Sequence, residues 1–224
     1  MKLIIGNKNY SSWSMRPWLL LQHFNIFFEE IRVPLFVPGY KEKLAKYSSN
    51  LTVPILLDGD IVIWDSLAIC EYINGKYLNG MALPSEESER AICRAYCAEM
   101  HSGFTTIREQ LPMNCRSQRQ IKFTTEVINE CKRVDSLWQE ARQRHTGKGD
   151  YLFGDFTLAD SMFAPIVCRF SSYGVAISPT SQRYMDTILA NYAVTEWMED
   201  AKKEAEILPD SEVGTYIADV DGRF

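Results

Sequence analysis

Residues 10–16, Tyr-Ser-Ser-Trp-Ser-Met-Arg, lie between a strand-like apolar run at residues 3–6 and a predicted helix that runs to about residue 25. Ser14 is the best N-cap for this helix. Pro17 then falls at the third helical position, where its missing N–H has no intrahelical partner to lose. A strand, a serine-rich turn and a helix in this order predict an α/β unit at the start of the chain.

The same alternation of strand-like and helix-like patterns continues to residue 76. Asp58-Gly59-Asp60 is a strong hairpin signal between two apolar runs. After it, apolar side chains from Leu67 to Ile73 recur at helical spacing. The predicted elements are strands at residues 27–33, 54–57 and 61–64 and helices at residues 41–47 and 65–76. Their order, βαβ followed by αββα, predicts an α/β domain over residues 1–77.

A domain boundary is predicted at residues 77–84, where Asn79-Gly80 and Pro84 have linker chemistry. Beyond the boundary the apolar period changes to 3.6 residues almost everywhere. Helices are predicted at residues 86–111, 120–144, 157–173, 181–191 and 193–205, and an irregular tail follows Pro209. Thr157 and Asp160 have the spacing of a capping box. This pattern predicts an all-helical second domain over residues 85–224.

Composition narrows the classes of function. The net charge of -5 and the dispersed Lys and Arg residues give no basic stripe, so nucleic acid is a poor candidate partner. The apolar runs are shorter than the ~20 residues that span a bilayer, and the apolar run after Met1 is too short for a secretory signal. We expect no membrane partner and a cytoplasmic location. The six cysteines are read as reduced, buried side chains, and no metal site is expected.

Three segments of the chain, in this order, resemble the glutathione transferase superfamily. They are residues 10–16, residues 48–54 (Ser-Ser-Asn-Leu-Thr-Val-Pro) and residues 65–73 (Asp-Ser-Leu-Ala-Ile-Cys-Glu-Tyr-Ile). The first is similar to the serine motif of the zeta and theta classes. The second is similar to a stretch ending in Val-Pro, and the third to an acidic residue and a serine at a helix start. The resemblance implies a thioredoxin-like domain followed by an all-helical domain, glutathione as co-substrate and a homodimer.

The resemblance assigns the catalytic role to Ser11, which matches the first serine of the family's motif. A free cysteine thiol titrates near ~8.5, so little of the nucleophilic thiolate exists at neutral pH. A hydroxyl that donates a hydrogen bond to the sulfur, next to the positive end of a helix, favours the thiolate. Taken alone, such a stretch is more often a serine-rich turn that caps a helix. Ser12 and Trp13 are expected to line the same loop.

The other two segments are expected to hold the rest of the glutathione molecule. By resemblance, the Val53–Pro54 bond is cis, and the Val53 backbone pairs with the cysteinyl backbone of the tripeptide as an added strand. The alternative is a strand-initiating proline on a sheet edge. Asp65 is expected to hold the γ-glutamyl ammonium and Ser66 its carboxylate, although both residues also read as an N-cap pair.

The electrophile pocket is expected between the Ser11 loop and the helical domain. Its candidate residues are Trp13, Met100, Phe104 and Arg108, the last three on one face of the long predicted helix. Core packing is the competing role for Met100 and Phe104.

The chain departs from the zeta class at two positions. Trp13 stands where the zeta motif usually has cysteine, and Ser172 stands where the family has an electrophile-facing arginine. Arg169 lies one helical turn before Ser172 and is the candidate to take the place of that arginine. These departures speak against the isomerisation of small dicarboxylic ketoacids for which the zeta class is known.

The leading hypothesis is therefore a glutathione transferase in which the thiolate attacks a small electrophile. A non-catalytic glutathione-binding or scaffold protein and a glutathione-dependent isomerase or dehalogenase are the alternatives. The intact Ser11, Val53, Asp65 and Ser66 favour an enzyme.

Overall fold

A computed structural model describes residues 1–220 of the chain, so residues 221–224 of the predicted second domain lie outside the described residues. The first part is built on a four-stranded sheet in the order β2-β1-β3-β4. Its strands are β1 (Lys2–Ile5), β2 (Glu29–Arg32), β3 (Ile55–Asp58) and β4 (Ile61–Trp64). Strand β1 pairs in parallel with β2 and antiparallel with β3, and β3 pairs antiparallel with β4. The hairpin predicted at Asp58–Asp60 therefore joins β3 to β4.

Three helices complete this part of the molecule. They are α1 (Ser12–His23), α2 (Tyr40–Leu44) and α3 (Ser66–Tyr77). Helix α1 is the crossover between the parallel strands β1 and β2, and α3 follows the β3–β4 hairpin. The resulting order βαβαββα is that of a thioredoxin-like domain, as predicted.

The sheet register gathers the three quoted segments at one edge. Ile4 pairs with Ile55, so the end of β1 lies beside the start of β3, which follows Pro54. Ile55 in turn pairs with Trp64, the last residue of β4. The turn that leads into α1, the Val53–Pro54 bond and the start of α3 therefore all lie at this edge.

The second part of the chain is mainly helical. Its helices are α4 (Glu87–Ser102), α5 (Thr105–Gln110), α6 (Thr125–Arg144), α7 (Leu158–Tyr173), α8 (Pro179–Leu189) and α9 (Tyr192–Lys203). A two-stranded antiparallel sheet of β5 (Ser117–Gln120) and β6 (Thr215–Asp219) joins them. The predicted two-part fold class is confirmed, and the small sheet is an addition that the sequence patterns did not predict.

The start of α1 differs from the prediction. Ser11, and not Ser14, is the N-cap residue, and its side chain accepts a hydrogen bond from the Ser14 N–H. Pro17 is therefore the sixth residue of the helix, where its missing N–H leaves the Trp13 carbonyl without its usual partner. The helix starts earlier because the Ser11 Oγ accepts from the Ser14 N–H, one of the first N–H groups that have no partner inside the helix.

The long helix predicted at residues 86–111 is two helices, and that prediction is wrong. Gly103 is extended, and Phe104 adopts the left-handed conformation with φ of 56°. A side chain at Gly103 would bring its Cβ to 2.8 Å from the Glu99 carbonyl oxygen. The chain turns there because only glycine fits so close to the end of α4.

Two further predictions need correction. The helix predicted from residue 120 begins at Thr125, because Thr124 caps it and Gln120 belongs to β5. The tail after Pro209 is not irregular. It forms a short 3₁₀ helix (Pro209–Ser211) and then β6, which covers the otherwise unpaired backbone of β5.

Buried side chains from both parts form one hydrophobic cluster that includes Trp18, Trp138 and Trp197. All six cysteines are buried, as predicted. Among residues 1–220, no helix combines the length and the apolar character that crossing a membrane requires.

Candidate active site at the sheet edge

Ser11 sits at the N-terminus of α1, against the end of β1. Its Oγ lies 2.8 Å from the Ser14 Oγ, and the Gly6 N–H donates to the Ser14 Oγ at 3.1 Å. A Cβ at Gly6 would lie 2.6 Å from Leu35 Cδ1 and 3.2 Å from Ser11 Cβ. Residues 6–11, between β1 and α1, are called the serine loop. Glycine at position 6 lets the backbone of this loop pass close to Leu35 and Ser11.

The Val53–Pro54 peptide bond is cis, as the resemblance implied. Val53 lies just before β3, beside the end of β1. We find no protein partner for the Val53 N–H or C=O among residues 1–220. These two backbone groups are therefore available to an extended peptide.

Asp65 and Ser66 form the start of α3. Asp65 is the N-cap, with a left-handed φ of 75°, and its Oδ1 accepts from the N–H groups of Leu67 at 2.9 Å and Ala68 at 3.1 Å. Its other carboxylate oxygen lies 2.9 Å from His101 Nε2. A carboxylate only accepts hydrogen bonds, so Nε2 carries the proton. Burial, opposed by Asp65, lowers the pKa of His101, so this imidazole is neutral at pH 7.

Arg16 lies beneath the start of α3 and is 1% exposed. It donates from Nη1 to the Ser66 hydroxyl at 3.2 Å, while its Nε has no partner among the described residues. Burial, together with the nearby Arg169 and Arg108, lowers the pKa of Arg16 to about 9, which still leaves it charged at pH 7. A buried charge of this kind is costly without an anion beside it.

Trp13 lies next to two cationic side chains and one neutral imidazole. The guanidinium carbons of Arg16 and Arg108 lie 4.3 and 5.2 Å from its ring centroid, and His101 meets the ring edge at 5.4 Å. Arg169, fully buried, donates to the Ser12 Oγ at 3.2 Å and to two backbone carbonyls. Within the described part of the chain, none of these three arginines forms an ion pair with a carboxylate. We call Arg16, Arg108 and Arg169 the arginine cluster.

The structure separates the four residues proposed for the electrophile pocket. Trp13 and Arg108 lie together, but Arg108 is on α5 and not on the helix that carries Met100. Met100 and Phe104 are buried in the hydrophobic core, which was their competing role. Ser172 is also buried, and it donates to the Asn114 and Cys168 carbonyls.

Comparisons with known proteins agree with this geometry. Residues 10–76 match the family model described as the N-terminal domain of glutathione S-transferase. These residues contain Ser11, the cis proline and the start of α3. The first part of the chain is therefore similar to that domain.

Known relatives cover much of the chain. A probable maleylacetoacetate isomerase from Caenorhabditis elegans is 26% identical over 79% of this chain and 83% of its own length. A stringent starvation protein A homolog from Coxiella burnetii is 27% identical over 64% of this chain, and the match spans 65% of that relative's length. Among solved structures, a glutathione transferase homolog from Burkholderia gl BGR1, with bound glutathione, superimposes with a TM-score of 0.66. It is 23% identical and covers 92% of this chain and 98% of that one.

Residues 204–212, which follow α9, form hydrogen bonds to the loop that precedes Ser11. The Glu204 carboxylate accepts from the N–H groups of Lys8 at 2.7 Å and Asn9 at 3.1 Å. The Tyr10 hydroxyl donates to Glu212 at 2.5 Å and accepts from Arg116 at 2.6 Å. The residues after α9 therefore hold the loop that precedes Ser11.

A wide cleft lies elsewhere on the molecule. Its volume is about 800 Å³, and it lies at the other end of α1, between His23, the linker and Phe156. None of the predicted site residues lines it. The chemistry of the serine loop, and not the size of a cavity, therefore identifies the candidate active site.

Sequence reasoning missed Arg16 and His101 as parts of this candidate site. Arg16 is the last residue of the quoted serine stretch, so its place at the end of that motif was an available signal. His101 carried no such signal, because its contact with Asp65 joins residues far apart in the chain.

Proposed function

We propose that the protein is a glutathione transferase that activates the glutathione thiol through Ser11 for attack on a small electrophile. The observation that carries this proposal is the meeting of three features at one sheet edge. They are a serine hydroxyl at the N-terminus of α1, the unpartnered Val53 backbone and the capped start of α3. The bound glutathione of the Burkholderia relative supports the same ligand.

In this mechanism the Ser11 hydroxyl donates a hydrogen bond to the glutathione sulfur. The thiol proton leaves to solvent, and the thiolate is stabilised by that hydrogen bond and by the positive end of α1. The sulfur then forms a bond to an electrophilic carbon. Either a leaving group departs with the bonding electrons or, for an activated alkene, the carbon next to the new bond takes a proton from water.

The rest of the tripeptide is held by the edge of the sheet. The Val53 N–H and C=O pair with its cysteinyl backbone, next to Pro54. Asp65 holds the γ-glutamyl ammonium, and Ser66 and the start of α3 hold its carboxylate. Ser12 and Trp13 line the loop beside the thiol. The division into residues 1–77 and 85–224 then places glutathione in the first domain and the electrophile between the two.

We propose that the electrophile carries a carboxylate. The arginine cluster supports this, since burial lowers the pKa of all three guanidinium groups and none of them forms an ion pair with a carboxylate among the described residues. An anion beside Trp13 offsets the cost of burying these charges. Arg108 is only half-buried, so it is the member available to a ligand.

Arg108→Gln is expected to raise the KM for a carboxylate-bearing electrophile about tenfold or more, since a charge-assisted hydrogen bond is lost. The measurement compares an α,β-unsaturated keto acid with its methyl ester, at saturating glutathione. The KM for the neutral ester should change less than about twofold. Arg133→Gln, which removes an exposed guanidinium paired with Glu99, is the matched control. Equal losses for acid and ester would contradict the proposed role of Arg108.

A glutathione-dependent isomerase is the second candidate function. The arginine cluster favours it, because an isomerase of carboxylic acids needs the same anion-binding side chains, and a relative is named as a probable maleylacetoacetate isomerase. Conjugation consumes glutathione and isomerisation does not. A count of free thiols after complete turnover distinguishes the two.

The proposed function is tested by titrating the ultraviolet absorbance of the glutathione thiolate bound to the protein. A thiol that ionises well below its solution pKa supports the transferase. Binding with an unshifted thiol would favour the scaffold alternative, and no binding would refute the assignment of the site.

We also propose a cytoplasmic, detoxifying role and a homodimer. The six buried, free cysteines support a reducing compartment. Strand β4 lies at the sheet edge and exposes apolar side chains, which supports a contact with the helices of a second copy. These side chains are Ile61, Val62 and Trp64, with exposures of 46%, 42% and 56%.

Trp64→Lys is expected to convert the dimer to monomer, because a buried, unpaired charge is costly at an apolar interface. Sedimentation equilibrium measures the change in mass. Phe27→Lys, at a residue on the approach to β2 that is 90% exposed, is the matched control and should leave the dimer intact. A wild-type protein that sediments as a monomer would refute the homodimer.

A further inference from the structure

Ser14 occupies a fully buried position directly behind Ser11. The Gly6 N–H donates to the Ser14 Oγ at 3.1 Å, and the two serine Oγ atoms are 2.8 Å apart. The Ser14 N–H also faces the Ser11 Oγ, at 3.4 Å. An acceptor therefore has to be assigned to each of two hydroxyl protons, that of Ser11 and that of Ser14.

The direction of the bond between the two hydroxyls follows from the available acceptors. Among the described residues, the Ser14 hydroxyl has one acceptor within hydrogen-bond reach, the Ser11 Oγ. If Ser11 donated instead, the Ser14 proton would be buried without an acceptor, which is unfavourable. The chain of donors therefore runs from the Gly6 N–H to Ser14 and from Ser14 to Ser11. The Ser11 proton is then left for an acceptor outside the protein.

A second pair of serines, at the start of α8, has the same spacing as Ser11 and Ser14 but different hydrogen-bond acceptors. Ser178 caps α8, and its Oγ lies 3.1 Å from the Ser181 Oγ and 3.3 Å from the Ser181 N–H. There, Asp135 supplies both acceptors. Its carboxylate accepts from Ser178 at 2.7 Å, and its carbonyl from Ser181 at 3.3 Å. The serine spacing alone is thus that of an ordinary cap. The pair at α1 differs because, within residues 1–220, the one oxygen in reach of the Ser11 hydroxyl is the Ser14 Oγ, whose own proton needs Ser11 as its acceptor.

We propose that Ser14 is a positioning residue that holds the Ser11 hydroxyl with its proton directed to the glutathione sulfur. By donating to the Ser11 oxygen, Ser14 also polarises the Ser11 O–H bond and makes it a stronger donor, because hydrogen bonds in a chain reinforce one another. This inference rests on the proposed function of Ser11.

The test is the ultraviolet titration of bound glutathione in the wild type and in Ser14→Ala. We expect the pKa of the bound thiol to rise by about 0.5–1 unit in the variant, because Ser11 loses its donor and is free to rotate. The Kd for S-methylglutathione, which has no thiol, should stay within about twofold. Ser14→Thr keeps the hydroxyl and should restore the low pKa. Ser181→Ala removes the same group from the same helix position at α8 and should change neither quantity.

The outcomes separate this inference from the proposed function. A wild-type protein whose bound thiol has its solution pKa refutes the function itself. A shifted wild-type thiol that is unchanged in Ser14→Ala overturns the role of Ser14 alone. An equal loss of affinity for glutathione and S-methylglutathione in Ser14→Ala, with no change in the thiol pKa, shows a structural role and also overturns it. If Ser14→Ala does not fold, Ser14→Cys keeps the volume and a weaker donor, and an unchanged pKa there overturns the inference.

Discussion

Replacing Ser11 with alanine is expected to return the pKa of the protein-bound glutathione thiol to near its solution value. The variant loses the Ser11 hydroxyl, which caps the N-terminus of α1 and lies 2.8 Å from the Ser14 Oγ. Each unit of lost pKa shift reduces the thiolate fraction about tenfold at a pH below both values. We therefore expect kcat/KM at pH 6.5 to fall about tenfold to a hundredfold.

The pH profile separates this effect from a general loss of structure. The wild-type rate should be half-maximal at the pKa of the bound thiol and level off above it. The rate of Ser11→Ala should keep rising up to about pH 8–9, where the thiol ionises without help. The two rates should therefore converge at high pH. A loss of equal size at every pH, or a loss of S-methylglutathione binding, would contradict the proposed role and indicate a damaged site.

The sequence was sufficient for the fold class because each signal it used is local. The hairpin at Asp58–Asp60 depends on turn chemistry within three residues, and the capping box at Thr157 depends on residues three apart. The structure has both features, with the Thr157 N–H donating to Asp160 at 2.7 Å.

The errors arose where a contact distant in the chain overrides the local pattern. Residues 86–111 keep a helical period, yet the chain turns at Gly103 and Phe104 so that Phe104 enters the core. The tail after Pro209 carries no strong strand signal by itself. It becomes a strand by pairing with β5, about a hundred residues earlier.

The candidate site was only partly predictable for the same reason. Ser11, Val53, Asp65 and Ser66 lie in motifs that can be read in the sequence, and the sheet register brings them to one edge. The arginine cluster could not be read in this way. Arg108 and Arg169 reach Trp13 and Ser12 from two helices of the second part, so only the packing of the two parts reveals their shared charge.

Asp160→Ala is expected to lower the free energy of unfolding by about 2–4 kcal/mol, the largest loss of stability among the changes considered. The Asp160 carboxylate is fully buried at the start of α7. It accepts from the Leu152 N–H at 3.1 Å, from the Thr157 N–H at 2.7 Å and from the Thr157 hydroxyl at 2.9 Å. Alanine leaves these buried donors without a partner. Urea unfolding measures the loss, with the exposed Asp186→Ala as a control that should cost less than about 0.5 kcal/mol.

Asp160 should also give the stability a particular pH dependence. Burial, which outweighs the hydrogen bonds, raises the pKa of Asp160 from 3.8 to about 6 in the folded state. Between these values the folded protein holds a proton that the unfolded chain releases. The contribution of this proton to the free energy of unfolding is therefore fully present below about pH 4 and declines as the pH rises to 6.

Asp160→Asn isolates this contribution, because the amide keeps an acceptor oxygen and does not ionise. The free energy of unfolding of the wild type, minus that of Asp160→Asn, should fall by about 2–3 kcal/mol from pH 4 to pH 6. A difference that rises over this range would mean that the hydrogen bonds from Leu152 and Thr157 outweigh burial. The carboxylate of Asp160 would then be the stabilised form, and the sign of its pKa shift would be reversed.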